Sequence, residues 1–143
     1  PGQVKPVSVC DAITSQVDIF ATIAAALEVD LPADCAHDGH NMLAVWRENA
    51  PGPRRSIVHN TNEGAYAIRH ENWVLIAAKS GAHSKVPAWF DEENGYARND
   101  QPGELYDLAS DLAQKHNLYA ERPDKVKELT DLLKQIRAKG QVR

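Results

Sequence analysis

One apolar stripe near the C-terminus constrains this chain more than any other feature. Val126, Leu129, Leu132, Leu133 and Ile136 recur at helical spacing among charged residues, which predicts a helix with one water-avoiding face. Pro123 suits the first turn, where an amide hydrogen would have no helical partner, and Asp124 complements the positive end of the helix dipole. Arg137 and Lys139 fall in the last turn, and Gly140 is placed to stop it. Such a face must be covered, and the sequence offers a cover. Residues 56–59, 65–69 and 73–78 are rich in Ile, Val, Tyr and Trp at strand lengths. His70-Glu71-Asn72 is short enough to join the last two as a hairpin, and residues 105–108 read as a fourth short strand. The expectation is an α+β fold: a small antiparallel sheet of about four strands packed by a C-terminal helix.

The first third reads differently. Residues 7–13 alternate loosely, as a short strand or an extended lead-in would. Asp18 is placed as the N-cap of a helix over Ile19, Phe20, Ile23, Ala24 and Leu27, in which Ala24 to Ala26 permit close packing. Residues 30–39, with Pro32 and Asp38-Gly39, read as loop. A short helix follows over 41–48, ended by Pro51-Gly52-Pro53. A polar insertion over 79–103 is too long for a simple turn and is a candidate binding loop.

Composition narrows the function classes. At 143 residues the chain suits one modest core or two small units, and its formal charge of −4 supplies no basic surface for nucleic acid. No run of about 18 apolar residues predicts a membrane-spanning helix. Cys10 and Cys35 allow one disulfide but set no framework.

Four places carry side chains capable of chemistry. Asp34-Cys35-Ala36-His37-Asp38-Gly39-His40 gathers metal-capable groups, yet zinc sites draw paired ligands from two segments and no second pair is evident; an ordinary polar loop is expected, with no metal. His59 ends a strand ahead of the polar run Asn60-Thr61-Asn62-Glu63. His83 lies in Ser80-Gly81-Ala82-His83-Ser84, flanked by Lys79 and Lys85, where glycine permits close approach and His and Lys can bind an oxyanion. Arg54-Arg55 could clamp an anion or sit as solvated charge beside a proline turn. No Ser-His-Asp order, phosphate-loop glycine pattern or pair of catalytic carboxylates is present.

The order of segments resembles the end of the sulfatase family. Pro1-Gly2 is similar to the close of its Trp-Pro-Gly segment, and Val17-Asp18-Ile19-Phe20-Ala21-Thr22-Ile23 to its Val-Asp-Leu-Phe-Pro-Thr-Leu stretch. Asp38-Gly39-His40-Asn41-Met42-Leu43 resembles its Asp-Gly-x-Ser/Asn turn followed by two apolar residues, and Ala65-Tyr66-Ala67-Ile68-Arg69 with Trp73-Val74-Leu75-Ile76 its Ala-Ile-Arg, Trp-Lys-Leu-Ile hairpin. Glu104-Leu105-Tyr106-Asp107-Leu108, then Asp111 and Asn117-Leu118, is similar to its Glu-Leu-Tyr-Asp-Leu-x-x-Asp-Pro-x-x-x-x-Asn-Leu. Ala21 and Leu112 stand where the family usually has proline.

The resemblance, to arylsulfatase A-like enzymes, implies an alkaline-phosphatase-like α/β domain of which residues 1–53 would be the helical tail, and a C-terminal subdomain over 54–143. It implies a parent enzyme that hydrolyses sulfate esters of a carbohydrate or aryl alcohol with a formylglycine nucleophile and calcium, in a periplasmic, secreted or lysosomal setting. The nucleophile is made from a Cys/Ser-x-Pro-x-Arg motif. Cys10 and Cys35 do not fit it, nor does any serine here, so this stretch alone is expected to be inactive. His83 is carried over as a substrate-binding residue at the pocket rim. The missing N-terminal catalytic domain is the implied partner, so part of the Ile19, Phe20, Ile23 face should be exposed or covered by a second copy in a homodimer. Two other readings stand beside this one: a phosphodiesterase or phosphonate hydrolase of the same superfamily, and a non-enzymatic glycan-binding module.

Overall fold

The computed structural model describes residues 4–60, 64–79, 87–95 and 99–140. Among the described residues, four helices and four strands follow in the order α1 (Val17–Ala26), α2 (Leu43–Glu48), β1 (Ser56–Asn60), β2 (Tyr66–His70), β3 (Trp73–Ile76), α3 (Ala88–Asn94), β4 (Glu104–Asp107) and α4 (Pro123–Lys139). The chain divides into two compact units at Ile57/Val58, inside β1.

The second unit holds the expected sheet, with strands in the order β1-β2-β3-β4. β2 and β3 form a hairpin whose last pair is His70 with Trp73, leaving Glu71-Asn72 as the loop; β3 then pairs antiparallel with β4. Ile68 lies opposite Leu75, and Leu75 opposite Leu105, so one row of fully buried side chains crosses three strands on one face. Leu129 and Leu133, one turn apart on α4, close over that row and complete the core. Burying each of these side chains contributes roughly 1.5–3 kcal/mol. Val126, Leu132 and Ile136 pack around them, as the stripe requires. The solvent side of α4 carries charges, with ion pairs Lys125–Glu128 and Lys127–Asp131.

Motif residues at the far side of β4 serve the fold. Asn117 Oδ1 accepts the amide hydrogens of Leu105 and Tyr119, each at 3.0 Å. The Leu118 amide donates to the Leu105 carbonyl at 2.8 Å, so the strand's outer edge is partly paired by a loop. Asp111 Oδ2 accepts the His116 amide at 2.8 Å and shapes the intervening turn. Gly103, just before β4, is required by space: a Cβ there would sit 2.6 Å from the Tyr119 ring and 2.7 Å from the Ile76 carbonyl oxygen.

In the first unit α1 packs with α2. Two expectations are corrected here. Of the two readings of residues 7–13 the strand is excluded: they form a turn and irregular lead-in, with Val7 in the left-handed region at φ 59°. Asp18 is inside the first turn of α1 and Gln16 holds the N-cap position, because the Asp18 carboxylate is committed elsewhere. The insertion between β3 and β4 also holds a helix that the sequence did not announce: α3, seven residues long and closed by Gly95 at φ 68°.

Candidate functional site

Two polar constellations stand out among the described residues. The first lies entirely in the first unit and centres on Asp18, Thr22 and Arg54, all buried. Arg54 Nε donates to Asp18 Oδ2 at 3.0 Å, and Arg54 Nη2 to Asp18 Oδ1. The same Nη2 donates to the Asp38 carbonyl at 2.6 Å. Asp18 also accepts the His40 amide on Oδ1 at 2.9 Å and the Ser15 amide on Oδ2 at 2.8 Å. One turn on, Thr22 Oγ1 donates to the Asp18 carbonyl at 2.7 Å and accepts the Met42 amide at 3.0 Å. Burial pushes the Asp18 carboxyl up, but the Arg54 guanidinium and the two amides outweigh it and hold the group below the usual carboxylate range.

This arrangement ties Asp18 and Thr22 to the Asp38-Gly39 turn. The two side chains reach from α1 to the backbone of residues 40 and 42, and Arg54 ties the turn at Asp38 to the same carboxylate. Gly39 sits where a Cβ would approach the Val17 carbonyl oxygen to 2.7 Å. Arg54 does clamp an anion, but the anion is the protein's own. The carboxylate has no capacity left for a ligand: its two oxygens take four donors. Arg55, its neighbour, is exposed.

The second constellation is the neck of the 79–103 insertion. Asn99 Nδ2 donates to the Lys79 carbonyl at 2.9 Å and the Gly103 carbonyl at 3.2 Å, which draws the two ends of the insertion together. Asn117 Nδ2 braces Asn99 Oδ1 at 3.1 Å. At the start of β4, Glu104 Oε2 accepts the Tyr106 hydroxyl at 2.8 Å. Burial, then the Glu104 hydrogen bond, pushes the Tyr106 phenol well above its ordinary range, so it stays protonated. The neck thus holds the two described ends of the insertion against each other. The sequence reading marked Asn117 only as part of the sulfatase resemblance and Asn99 not at all, and nothing in their local sequence announces a pairing across 18 residues.

His83, the expected substrate-binding residue, lies outside the described residues, as does the Thr61 to Glu63 run after His59. His59 itself is exposed at the end of β1. In the Asp34 to His40 stretch, His37 points to solvent, while the turn contributes backbone to the Arg54–Asp18 pair. Among the described residues no three His, Cys, Asp or Glu side chains are grouped to hold a metal ion. The Cys10 and Cys35 thiols are both free and exposed.

No protein-family model matches the chain. It is 32% identical over 139 residues to the N-acetylgalactosamine-6-O-sulfatase of Bacteroides thetaiotaomicron, a match spanning 97% of this chain and 26% of that protein. The chain is a sulfatase homologue. Its fold matches the C-terminal part of sulfatase structures. One belongs to the metabolism of multiple glycosaminoglycans by Bacteroides thetaiotaomicron, with TM-score 0.69, 30% identity and coverage of 96% of this chain and 28% of that one. Another was solved in complex with its substrate D-glucosamine-2-N,6-O-disulfate, with TM-score 0.65, 22% identity and coverage of 94% and 26%; at that identity the likeness is one of fold. The chain thus spans about a quarter of the length of the sulfatases it matches. Among the described residues, no helix is long and apolar enough to cross a membrane.

Proposed function

We propose that this chain is the C-terminal part of a longer sulfatase that hydrolyses a sulfate ester of a carbohydrate, and that it helps to build the rim of the substrate pocket. The observation that carries the reading is sequence identity of 32% across 97% of the chain to a sulfatase whose name specifies a sulfated amino sugar. Residues 1–53 would close the large catalytic domain and 54–143 form the smaller subdomain. The nucleophile, a formylglycine, and the calcium that supports it belong to the rest of the polypeptide. No step of the reaction is assigned to a residue described here.

The role left to this chain is positioning. Asn99 and Asn117 hold the neck of the 79–103 insertion, and the insertion carries His83, which we assign to the substrate. A histidine flanked by glycine and lysine suits an anionic ester: the imidazole and ammonium donate, and glycine lets the backbone come close. The setting is periplasmic, secreted or lysosomal.

The test is turnover by the complete polypeptide. Sulfate release is measured from N-acetylgalactosamine 6-O-sulfate, a wider panel of sulfated saccharides and an aryl sulfate. Release from at least one saccharide is expected, with His83→Ala raising KM or lowering kcat, and the 143-residue chain at blank level. Hydrolysis of phosphodiesters without any sulfate release would overturn the reading, as would glycan affinity in the isolated chain with no hydrolase activity in the whole protein.

A further inference from the structure

The inner, partly polar side of helix α1 is covered within the structure, and its apolar outer side is not. Ala24 and Thr22 are buried on the inner side with the Asp18 carboxylate. On the opposite side Ile19, Ile23 and Leu27 follow at successive turns with Phe20 beside them, and their exposure runs from 48% for Ile19 to 69% for Leu27. No charged side chain interrupts that stripe. A helix side this apolar normally faces a covering surface rather than water. The contrast with α4 is internal to the molecule: there the solvent side is built from Lys125, Lys127, Glu128, Asp131 and Lys134, two ion pairs included. The same chain makes a water-facing helix where it needs one, and α1 is not made that way.

We infer that the Ile19, Phe20, Ile23, Leu27 stripe is a docking face for the remainder of the same polypeptide, the part of a sulfatase that lies outside the quarter matched here. This rests on the reading of the chain as part of a longer sulfatase. Two arguments favour that occupant over a second copy. The matched relatives carry roughly three quarters of their length outside this region, ample for a covering domain. The stripe is also small. Ten residues of helix span about 15 Å, and four half-exposed side chains amount to on the order of 400 Å². A stable dimer needs about 800 Å² on each partner. Within one polypeptide the contact is intramolecular and escapes most of the entropy of association, so a small face suffices. The Arg54–Asp18 pair then has a further consequence: by fixing the inner side of α1 it fixes which side is offered.

Thiol labelling tests this without relying on activity. In a Cys10→Ser, Cys35→Ser background, Ile23→Cys is compared in the 143-residue chain and in the complete polypeptide, with Lys134→Cys on α4 as the exposed control. Ile23→Cys should react quickly in the short chain, independent of its concentration. It should react slower by a factor on the order of ten or more in the complete protein. Lys134→Cys should react alike in both. Equal rates for Ile23→Cys in the two forms would overturn the inference. Protection in the short chain that grows with concentration would also overturn it, by naming a second copy as the occupant. Sulfate-ester turnover is read separately. Turnover without protection sinks the docking face alone, and protection without turnover of any sulfate ester sinks the sulfatase reading alone.

Discussion

Arg54 grips both carboxylate oxygens of Asp18 across 36 residues of sequence, and both side chains are buried. The pair joins the first helix to the segment that leads into the sheet-forming half, with the Asp38 carbonyl as a third party. Removing one partner strands the other charge in a dry site, which costs about 3–5 kcal/mol. Arg54→Met and Asp18→Asn are each expected to lower the unfolding free energy of the first unit by that order. The double variant should recover much of the loss, because no charge remains unpaired. A double-mutant cycle by urea unfolding checks this; two losses that simply add would mean the pair is not coupled.

The same pair sets an acid limit. Asp18 has a folded pKa below its unfolded value of about 3.9. Its stabilisation is therefore complete above the unfolded value and drains away as pH falls through the folded one. Unfolding free energy followed from pH 5 to pH 2 should fall less steeply in Asp18→Asn than in the parent chain. Parallel slopes would contradict the assignment.

A second titration has the opposite sign. His116 Nε2 and Glu121 Oε1 are 2.8 Å apart on the surface, and that contact raises the imidazole pKa above 6.5. Its contribution is present below the unfolded pKa and lost as pH climbs through the folded one. An NMR titration of the His116 ring should show the raised midpoint, and Glu121→Gln should return it towards 6.5. Because the pair is exposed, the midpoint is also expected to drop as salt is added.

Much of this fold can be read from side-chain spacing. The α4 stripe and the row Ile68, Leu75, Leu105 are visible because each element buries one face, and burial imposes a period of about 3.6 or 2 on the sequence. Three things were not legible, each for a physical reason. Asp18 looks like an N-cap because caps are local, whereas its real partner is a guanidinium that only the folded chain brings near. Helix α3 is too short to develop a periodic pattern and exposes Trp89 and Phe90, so nothing marks an inner face. The Asn99–Asn117 brace depends on how the insertion returns to the sheet, which no local propensity encodes. The motifs that carry the sulfatase resemblance are legible for a related reason. Asp18, Thr22, Gly39 and Asn117 each answer to a backbone group at close range, so few substitutes fit, and the structure adds Gly103, just ahead of the Glu104 motif, as a residue under the same constraint.

Gly103 puts that last point to a direct test. Its missing side chain is the space filled by the Tyr119 ring and the Ile76 carbonyl, so an added methyl group must displace an aromatic ring or backbone at the join of β3 and β4. Gly103→Ala is expected to cost about 1–3 kcal/mol through overpacking. Gly64 is the counterpart: a Cβ there meets nothing within 4 Å, and only its φ of 79° opposes substitution. Gly64→Ala should therefore cost about 1–2 kcal/mol of purely local strain. The two variants separate by where the damage lands rather than by its size alone. Hydrogen exchange at Leu105 and Leu118, whose amides are bonded to the Asn117 side chain and the Leu105 carbonyl, should accelerate in Gly103→Ala more than its global destabilisation requires. In Gly64→Ala the same two amides should speed up only in proportion to the loss of overall stability. Trimming the ring with Tyr119→Leu in the Gly103→Ala background should restore part of the protection, since a branched aliphatic chain leaves room that the planar ring does not. If that second change brings no recovery, the clash is not with Tyr119 and the close approach at the neck of the insertion has another cause.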